Sequence, residues 1–131
     1  MVILLYKREE KELENLLSLD GTHFIINETL QMWVKFSVIK VQPTIYRPWG
    51  IRYSLTLHNK KGERLMGFDN AHQVEALGNK KSLQPTFYHW HRTQHDAGRP
   101  YHYVNAIKLL EDFWREVDKQ INLWEATHET S

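Results

Sequence analysis

Apolar and polar residues alternate along two stretches in the middle of the chain, residues 30–38 and 51–57, which is the pattern of half-buried β-strands. A polar turn at residues 59–62 follows the second stretch, and residues 64–68 return as its antiparallel partner, which predicts a β-hairpin. We expect Gly62 to adopt a positive φ, because such a turn needs one residue of this kind and glycine has no Cβ to oppose it.

Helical spacing is found towards both ends of the chain. Residues 7–18 place leucines three and four positions apart and run into Asp20-Gly21, which is typical of a short helix that ends on glycine. Residues 106–124 follow Asn105, a favourable N-cap, and carry a broad apolar stripe. The stripe consists of Ile107, Leu110, Phe113, Trp114, Val117, Ile121 and Trp124.

These elements, with a fourth strand at residues 87–92, predict one α+β domain. We expect a curved antiparallel sheet of about four strands, with an N-terminal helix and a long C-terminal helix packed on one face. The length of 131 residues suits a single domain. We divide it into an N-terminal helical extension at 1–27, the sheet at 28–104 with an inserted loop at 73–86, and the C-terminal helix at 105–125.

Composition removes several classes of function. The chain has no cysteine, which rules out disulfides, thiolate metal sites and cysteine nucleophiles, and suits the cytoplasm. The apolar segment 1–6 is too short for a signal-peptide core or a membrane helix, so we expect no membrane role. A net charge of +1 provides no global attraction to nucleic acid, so any RNA contact must come from local patches.

Polar and titratable residues concentrate between Lys61 and Arg92. We predict that the side chains of five of them converge in one cleft as a catalytic site: Asp69, Asn70, His72, His89 and His91. In a ribonuclease without a metal, one histidine takes the 2′-hydroxyl proton and another protonates the leaving oxygen. Arg64, Arg92 and Lys61 are the candidate phosphate contacts, and Tyr88, Trp90 and Tyr101 are the candidates for stacking on bases.

Three other interpretations of these residues stay open. The histidines and Asp69 suffice for a metal-dependent enzyme, but short His-x-His matches arise by chance and no thiolate is present, so we expect no metal and no cofactor. Asp69 and Asn70 are also common turn residues that end a strand and cap backbone N–H groups. Alternatively, the protein is a non-catalytic interaction module that uses Trp33, Trp49 and Trp90.

The order of motifs along the chain adds a family resemblance. Arg64-Leu65-x-Gly67-Phe68-Asp69-Asn70 is followed by His89-x-His91, and then by Tyr101-x-Tyr103 before Leu110-Glu111-Asp112-Phe113-Trp114. This order, over residues 30–120, resembles the TumE-like family of toxins from prokaryotic toxin–antitoxin modules. The resemblance implies a small intracellular toxin with a cognate antitoxin as partner and RNA or the ribosome as target. It also implies that Asp69, Asn70, His72, His89 and His91 are the shared polar residues.

Two features depart from the family pattern. The segment between His72 and His89 is longer than in the compact form, and the N-terminal helix is an additional element. Both are consistent with a divergent member that has an altered partner. Neither the charge nor the motifs decide whether the protein forms a homo-oligomer.

Overall fold

Two helices and six strands make up the described part of the protein. A computed structural model describes residues 2–70, 88–91 and 99–128, with side chains at 7–70 and 100–127. The helices are α1 (Val2–Leu17) and α2 (Ala106–His128). The strands are β1 (His23–Asn27), β2 (Met32–Lys40), β3 (Ile51–His58), β4 (Arg64–Asp69), β5 (Tyr88–His91) and β6 (Arg99–Tyr101). The strands form one antiparallel sheet in the order β1-β2-β3-β4-β5-β6. The predicted α+β class is therefore confirmed.

The four predicted strands correspond to β2–β5, and two short strands extend the sheet at its edges. One of them, β1, lies within the segment 1–27 that the sequence pattern assigned to a helical extension, so that assignment is wrong for residues 23–27. The cause is tertiary pairing, since Gly21 N donates to Phe36 O and Phe36 N donates to Thr22 O, each at 2.9 Å. The ring of Phe24 then stacks on that of Phe36, with 5.9 Å between their centroids.

The core lies between one face of the sheet and the two helices. Alternate residues of β2, β3 and β4 are buried in register, as in the pairs Val34–Leu57, Phe36–Leu55 and Leu55–Phe68. The helices cover this face with Leu16 from α1 and with Leu109, Phe113 and Val117 from α2. Each such side chain contributes roughly 1.5–3 kcal/mol of transfer free energy.

Local hydrogen bonds fix the ends of these elements as the sequence predicts. Gly62 has a φ of 87° in the turn between β3 and β4. Asn59 holds this turn, because its Oδ1 accepts from Lys61 N at 3.0 Å and from Glu63 N at 2.9 Å. Asn105 caps α2 by accepting from Lys108 N at 2.8 Å. Within the described residues, neither helix is long and apolar enough to span a bilayer.

Candidate functional site: the open face of the sheet

The face of the sheet opposite the helices is polar and carries a groove. We call it the open face, and its residues on β2 and β3 are those that alternate with the buried ones. The groove has a volume of about 530 Å³. It is lined by Lys35, Ser37, Ile39, Arg52, Tyr53, Ser54, Thr56 and His58. This arrangement offers hydroxyls and positive charge to a ligand.

The register of the sheet pairs two of the predicted site positions on neighbouring strands. Asp69 on β4 is the partner of His89 on β5, and Ser54 on β3 is the other partner of Asp69. Asp69 is 4% exposed. Directly opposite residues of antiparallel strands have Cα atoms about 4.5–5.5 Å apart, so Asp69 and His89 are adjacent in the backbone. His72 lies outside the described residues, and the convergence of all five side chains stays a prediction.

Gly67, in the middle of β4, leaves one position of the sheet without a side chain, next to the position of Asp69 and His89. Gly67 pairs with Thr56 on β3 and with His91 on β5. A Cβ at this position would lie 2.9 Å from Thr56 Cγ2 and 3.2 Å from the carbonyl oxygen of Leu55. Only glycine fits at position 67 without a shift of its neighbours. The residue of β4 that pairs with His91 therefore has no side chain.

Asn70 is fully engaged in holding the start of β3. It is 1% exposed, its Oδ1 accepts from Tyr53 N at 2.8 Å, and its Nδ2 donates to Ile51 O at 2.9 Å. Its own backbone N–H donates to Tyr53 O at 3.1 Å. Arg47 donates to its carbonyl oxygen at 3.2 Å. The amide therefore caps backbone groups, as the turn interpretation of this residue expects, and fixes the end of β4 immediately after Asp69.

The candidate phosphate contacts differ in position. Lys61 is exposed in the turn between β3 and β4, at one end of the hairpin. Arg64 is half-buried at the start of β4 and pairs with His58 on β3. Arg92, like the inserted loop predicted at 73–86, lies outside the described residues. Since His58 lines the groove, Arg64 is the candidate phosphate contact that the described residues place beside it.

Of the candidate aromatic contacts, the structure describes the side chain of Tyr101, and it does not lie on the open face. Tyr101 packs edge-on against Phe68 in the core, with ring centroids 5.0 Å apart at 88°. Its hydroxyl donates to Asp112 Oδ2 on α2 at 2.6 Å. The backbone of Trp90 pairs with that of Phe68, and its contact with RNA stays a prediction. Tyr101 thus ties β6 to α2, because its ring and its hydroxyl both have partners inside the fold.

Asp112 is the centre of a small polar cluster beneath β6. Lys108 Nζ contacts its Oδ1 at 2.7 Å and Arg115 contacts the same oxygen at 2.9 Å. Burial opposes ionisation of the carboxyl, but the hydrogen bonds from Lys108, Tyr101 and Arg115 outweigh it and lower the pKa of Asp112. Burial and the bond to Asp112 raise the pKa of the Tyr101 phenol well above its ordinary value. Tyr101 is therefore a neutral hydrogen-bond donor and does not act as a general acid or base near neutral pH.

His58 is a groove residue that the sequence analysis did not select. Its ring stacks on Trp33, with centroids 4.3 Å apart at 16°. Its Nε2 lies 2.8 Å from Thr56 Oγ1 and its Nδ1 lies 3.2 Å from Gly62 O. Burial lowers its pKa, the Gly62 carbonyl opposes this, and the positive charges of Lys35 and Arg64 lower it further. The signal was available in the alternation that groups His58 with Arg52, Ser54 and Thr56.

The two other functional interpretations concern residues that the structure describes only in part. Among the side chains that the structure describes, no group of three or more histidines and carboxylates is arranged to hold a metal ion. Of the tryptophans suggested for an interaction module, Trp33 is integrated into the fold, because its Nε1 donates to Asn59 O at 3.0 Å. Trp49 is 54% exposed beside Tyr103 and is free to contribute to an interface.

Comparison with known proteins identifies a sequence family. Residues 9–121 match the sequence model of the family described as Toxin TumE, which covers most of the chain. The matched range extends from α1 into α2 and includes the whole sheet. No curated protein and no solved structure matches the chain.

Proposed function

We propose that this protein, which belongs to the TumE toxin family, arrests growth by cleaving RNA without a metal. As a member of that family it is a toxin component, and toxins of this kind in general have an antitoxin as their partner. The proposed site is the row of Asp69 and His89 on the open face, together with His91 and His72. The observation that carries the proposal is the register that pairs Asp69 with His89 one strand away from the groove.

The proposed reaction is a transfer within the RNA strand. One imidazole removes the proton of a 2′-hydroxyl, and the resulting oxygen attacks the adjacent phosphorus atom. The bond from phosphorus to the 5′-oxygen breaks, and a second imidazole, in its protonated form, gives that oxygen a proton. The products are a 2′,3′-cyclic phosphate and a 5′-hydroxyl, so atoms and charge balance without a co-reactant. We assign the roles of general base and general acid to His89 and His91, and His72 is the alternative candidate for either role.

The remaining residues have supporting roles in the proposal. The carboxylate of Asp69 orients the imidazole of His89, as carboxylates commonly do in acid–base catalysis. The side-chain amide of Asn70 is hydrogen-bonded to the backbone of Tyr53 and Ile51 on β3. Asn70 is therefore a positioning residue, because these bonds keep the neighbouring Asp69 in place. Arg64, Lys61 and Arg92 are the proposed contacts to phosphate. Because the ring and the hydroxyl of Tyr101 are both engaged inside the fold, we leave Tyr101 out of the RNA surface, and Trp90 remains a proposed contact to a base.

The test is RNA cleavage and growth arrest by four forms of the protein. These are the wild type and the variants His89→Ala, His91→Ala and His102→Ala, the last being a matched control because His102 is an exposed histidine just before α2. Loss of one acid–base group should slow cleavage by about 10²–10⁴-fold, whereas the control should cleave at the wild-type rate. A strand with 2′-deoxyribose at the cleavage position should remain intact.

Two results would contradict the proposal. Intact RNA after incubation with folded wild-type protein would remove the nuclease function, while growth arrest that persists in both His89→Ala and His91→Ala would remove the histidine site. If arrest persists and RNA stays intact, the interaction-module interpretation with exposed Trp49 becomes the better account. Co-expressed antitoxin should suppress arrest in either case, so its effect does not separate the two.

A further inference from the structure

Two positively charged side chains on the open face have no partner in the described part of the chain. Lys35 on β2 and Arg52 on β3 are exposed, and both line the groove. Neither forms an ion pair or a side-chain hydrogen bond with any residue that the structure describes. Charges on a sheet surface are stabilised by opposite charges on neighbouring strands, so two unpaired cations in one groove indicate an anionic ligand.

The rest of the lining has the same preference. Among the described lining residues, the groove contains the hydroxyls of Ser37, Ser54 and Thr56 and no carboxylate. Asp69 is the partner of Ser54 in the adjoining strand, but it is buried and lies outside the lining. Hydroxyl donors beside cations are the groups that commonly contact phosphate and sugar oxygens in nucleic-acid complexes.

The dimensions favour a polymer over a single small anion. Lys35 pairs with Thr56, and Arg52 lies four residues away from Thr56 on β3. At about 3.4 Å per residue, the backbone positions of the two cations are therefore about 14 Å apart along the strand direction. Two phosphates of one strand can contact the two side chains at this spacing, one each, whereas a single phosphate would need both side chains to bend towards it.

We propose that this groove binds the sugar–phosphate backbone of single-stranded RNA, with Lys35 and Arg52 each contacting a phosphate. The inference deepens the proposed function, because a strand in the groove lies next to the row of Asp69 and His89. His58 closes the end of the groove as an uncharged ring that is held between Trp33 and the Gly62 carbonyl. His58 stacks on one face of Trp33, so that face is closed to a base. The cations and hydroxyls of the lining are suited to the backbone of a strand rather than to its bases.

The experiment measures binding apart from cleavage. Fluorescence anisotropy with a labelled single-stranded RNA is recorded over a range of salt concentrations, with His89→Ala present in every form so that the RNA stays intact. The test variant is Lys35→Gln/Arg52→Gln. The matched control is Lys7→Gln/Lys11→Gln, which removes the same charge from exposed positions on α1. Lys35→Arg/Arg52→Lys retains both charges and tests whether charge alone suffices, and melting temperatures check that every form is folded.

The expected result follows from the release of counterions. Two lost phosphate contacts should reduce the slope of log K against log salt by about 1.4, and should weaken binding by about 25-fold at 0.1 M salt. The control pair should change affinity by less than about twofold, and the charge-retaining pair should restore the slope. DNA of the same sequence should bind with a similar slope, since phosphate is the group recognised, yet should not be cleaved by the wild type.

The outcomes separate this inference from the proposed function. The groove assignment is overturned if folded protein binds no RNA, or if the groove variant and the control variant weaken binding equally. If RNA is cleaved in a histidine-dependent way while Lys35→Gln/Arg52→Gln leaves KM unchanged, the groove is wrong and the nuclease proposal stands. If binding depends on the groove but the wild type leaves RNA intact, the groove stands and the nuclease proposal fails.

Discussion

Replacement of Asn70 by alanine tests whether this residue acts through the fold. The change removes the acceptor for Tyr53 N–H and the donor to Ile51 C=O, at a site where the side chain is 1% exposed. A buried backbone group left without a partner costs about 1–3 kcal/mol, so two such groups should lower the free energy of unfolding by about 2–6 kcal/mol. For a domain of this length, that is a fall of about 7–22 °C in Tm.

Urea unfolding followed by circular dichroism measures the loss, with Asn105→Ala as a comparison. Asn105 makes one capping bond at the start of α2, so its loss should cost only about 1 kcal/mol. Asn70→Asp keeps the acceptor but places a carboxylate against the Ile51 oxygen. The pKa of that new carboxyl should be raised in the folded state, so the variant should regain stability as the pH falls. A loss for Asn70→Ala no larger than that for Asn105→Ala would refute the reasoning.

Three further predictions concern single groups. Tyr101→Phe should raise the pKa of Asp112 towards 3.8, because a hydrogen bond to its carboxylate is lost. In the wild type, the stabilisation from Asp112 is present above pH 3.8 and is lost as the pH falls through its lowered pKa, so urea midpoints at pH 5 and pH 3 should differ less in the variant. Gly62→Ala should cost about 1–2 kcal/mol through backbone strain alone, since a Cβ there would meet nothing within 4 Å. Lys35→Gln should raise the pKa of His58, measured by NMR titration, because a nearby positive charge is removed; an unchanged or lower pKa would contradict the groove electrostatics.

The regular elements could be predicted because their patterns repeat over many residues. The alternation in β2 and β3 and the apolar stripe of α2 each contain enough residues to define a buried face. The predicted stripe includes the buried Phe113 and Val117 but omits Leu109, which is also fully buried. The short strand β1 was missed because its apolar residues are consecutive and its pairing with β2 depends on the distant Phe36.

The candidate site was harder to predict, because its residues act through pairings that local sequence does not contain. Asp69 and Asn70 are consecutive, yet the register directs Asn70 to the backbone of β3 and Asp69 to the strand that carries His89. Tyr101 looked available for stacking, since a three-residue strand provides too little alternation to assign its face. The groove cations Lys35 and Arg52 were visible as polar positions on separate strands. Only the sheet brings them together.

The most direct test of the account is the rate of RNA cleavage by the purified wild type in excess chelator, measured across pH. Histidine acid–base catalysis requires one imidazole to be neutral and the other charged, so we predict full activity in chelator and a bell-shaped pH profile near neutrality. Activity that disappears in chelator and returns with an added divalent metal would contradict the metal-free mechanism. RNA that stays intact at every pH would contradict cleavage itself.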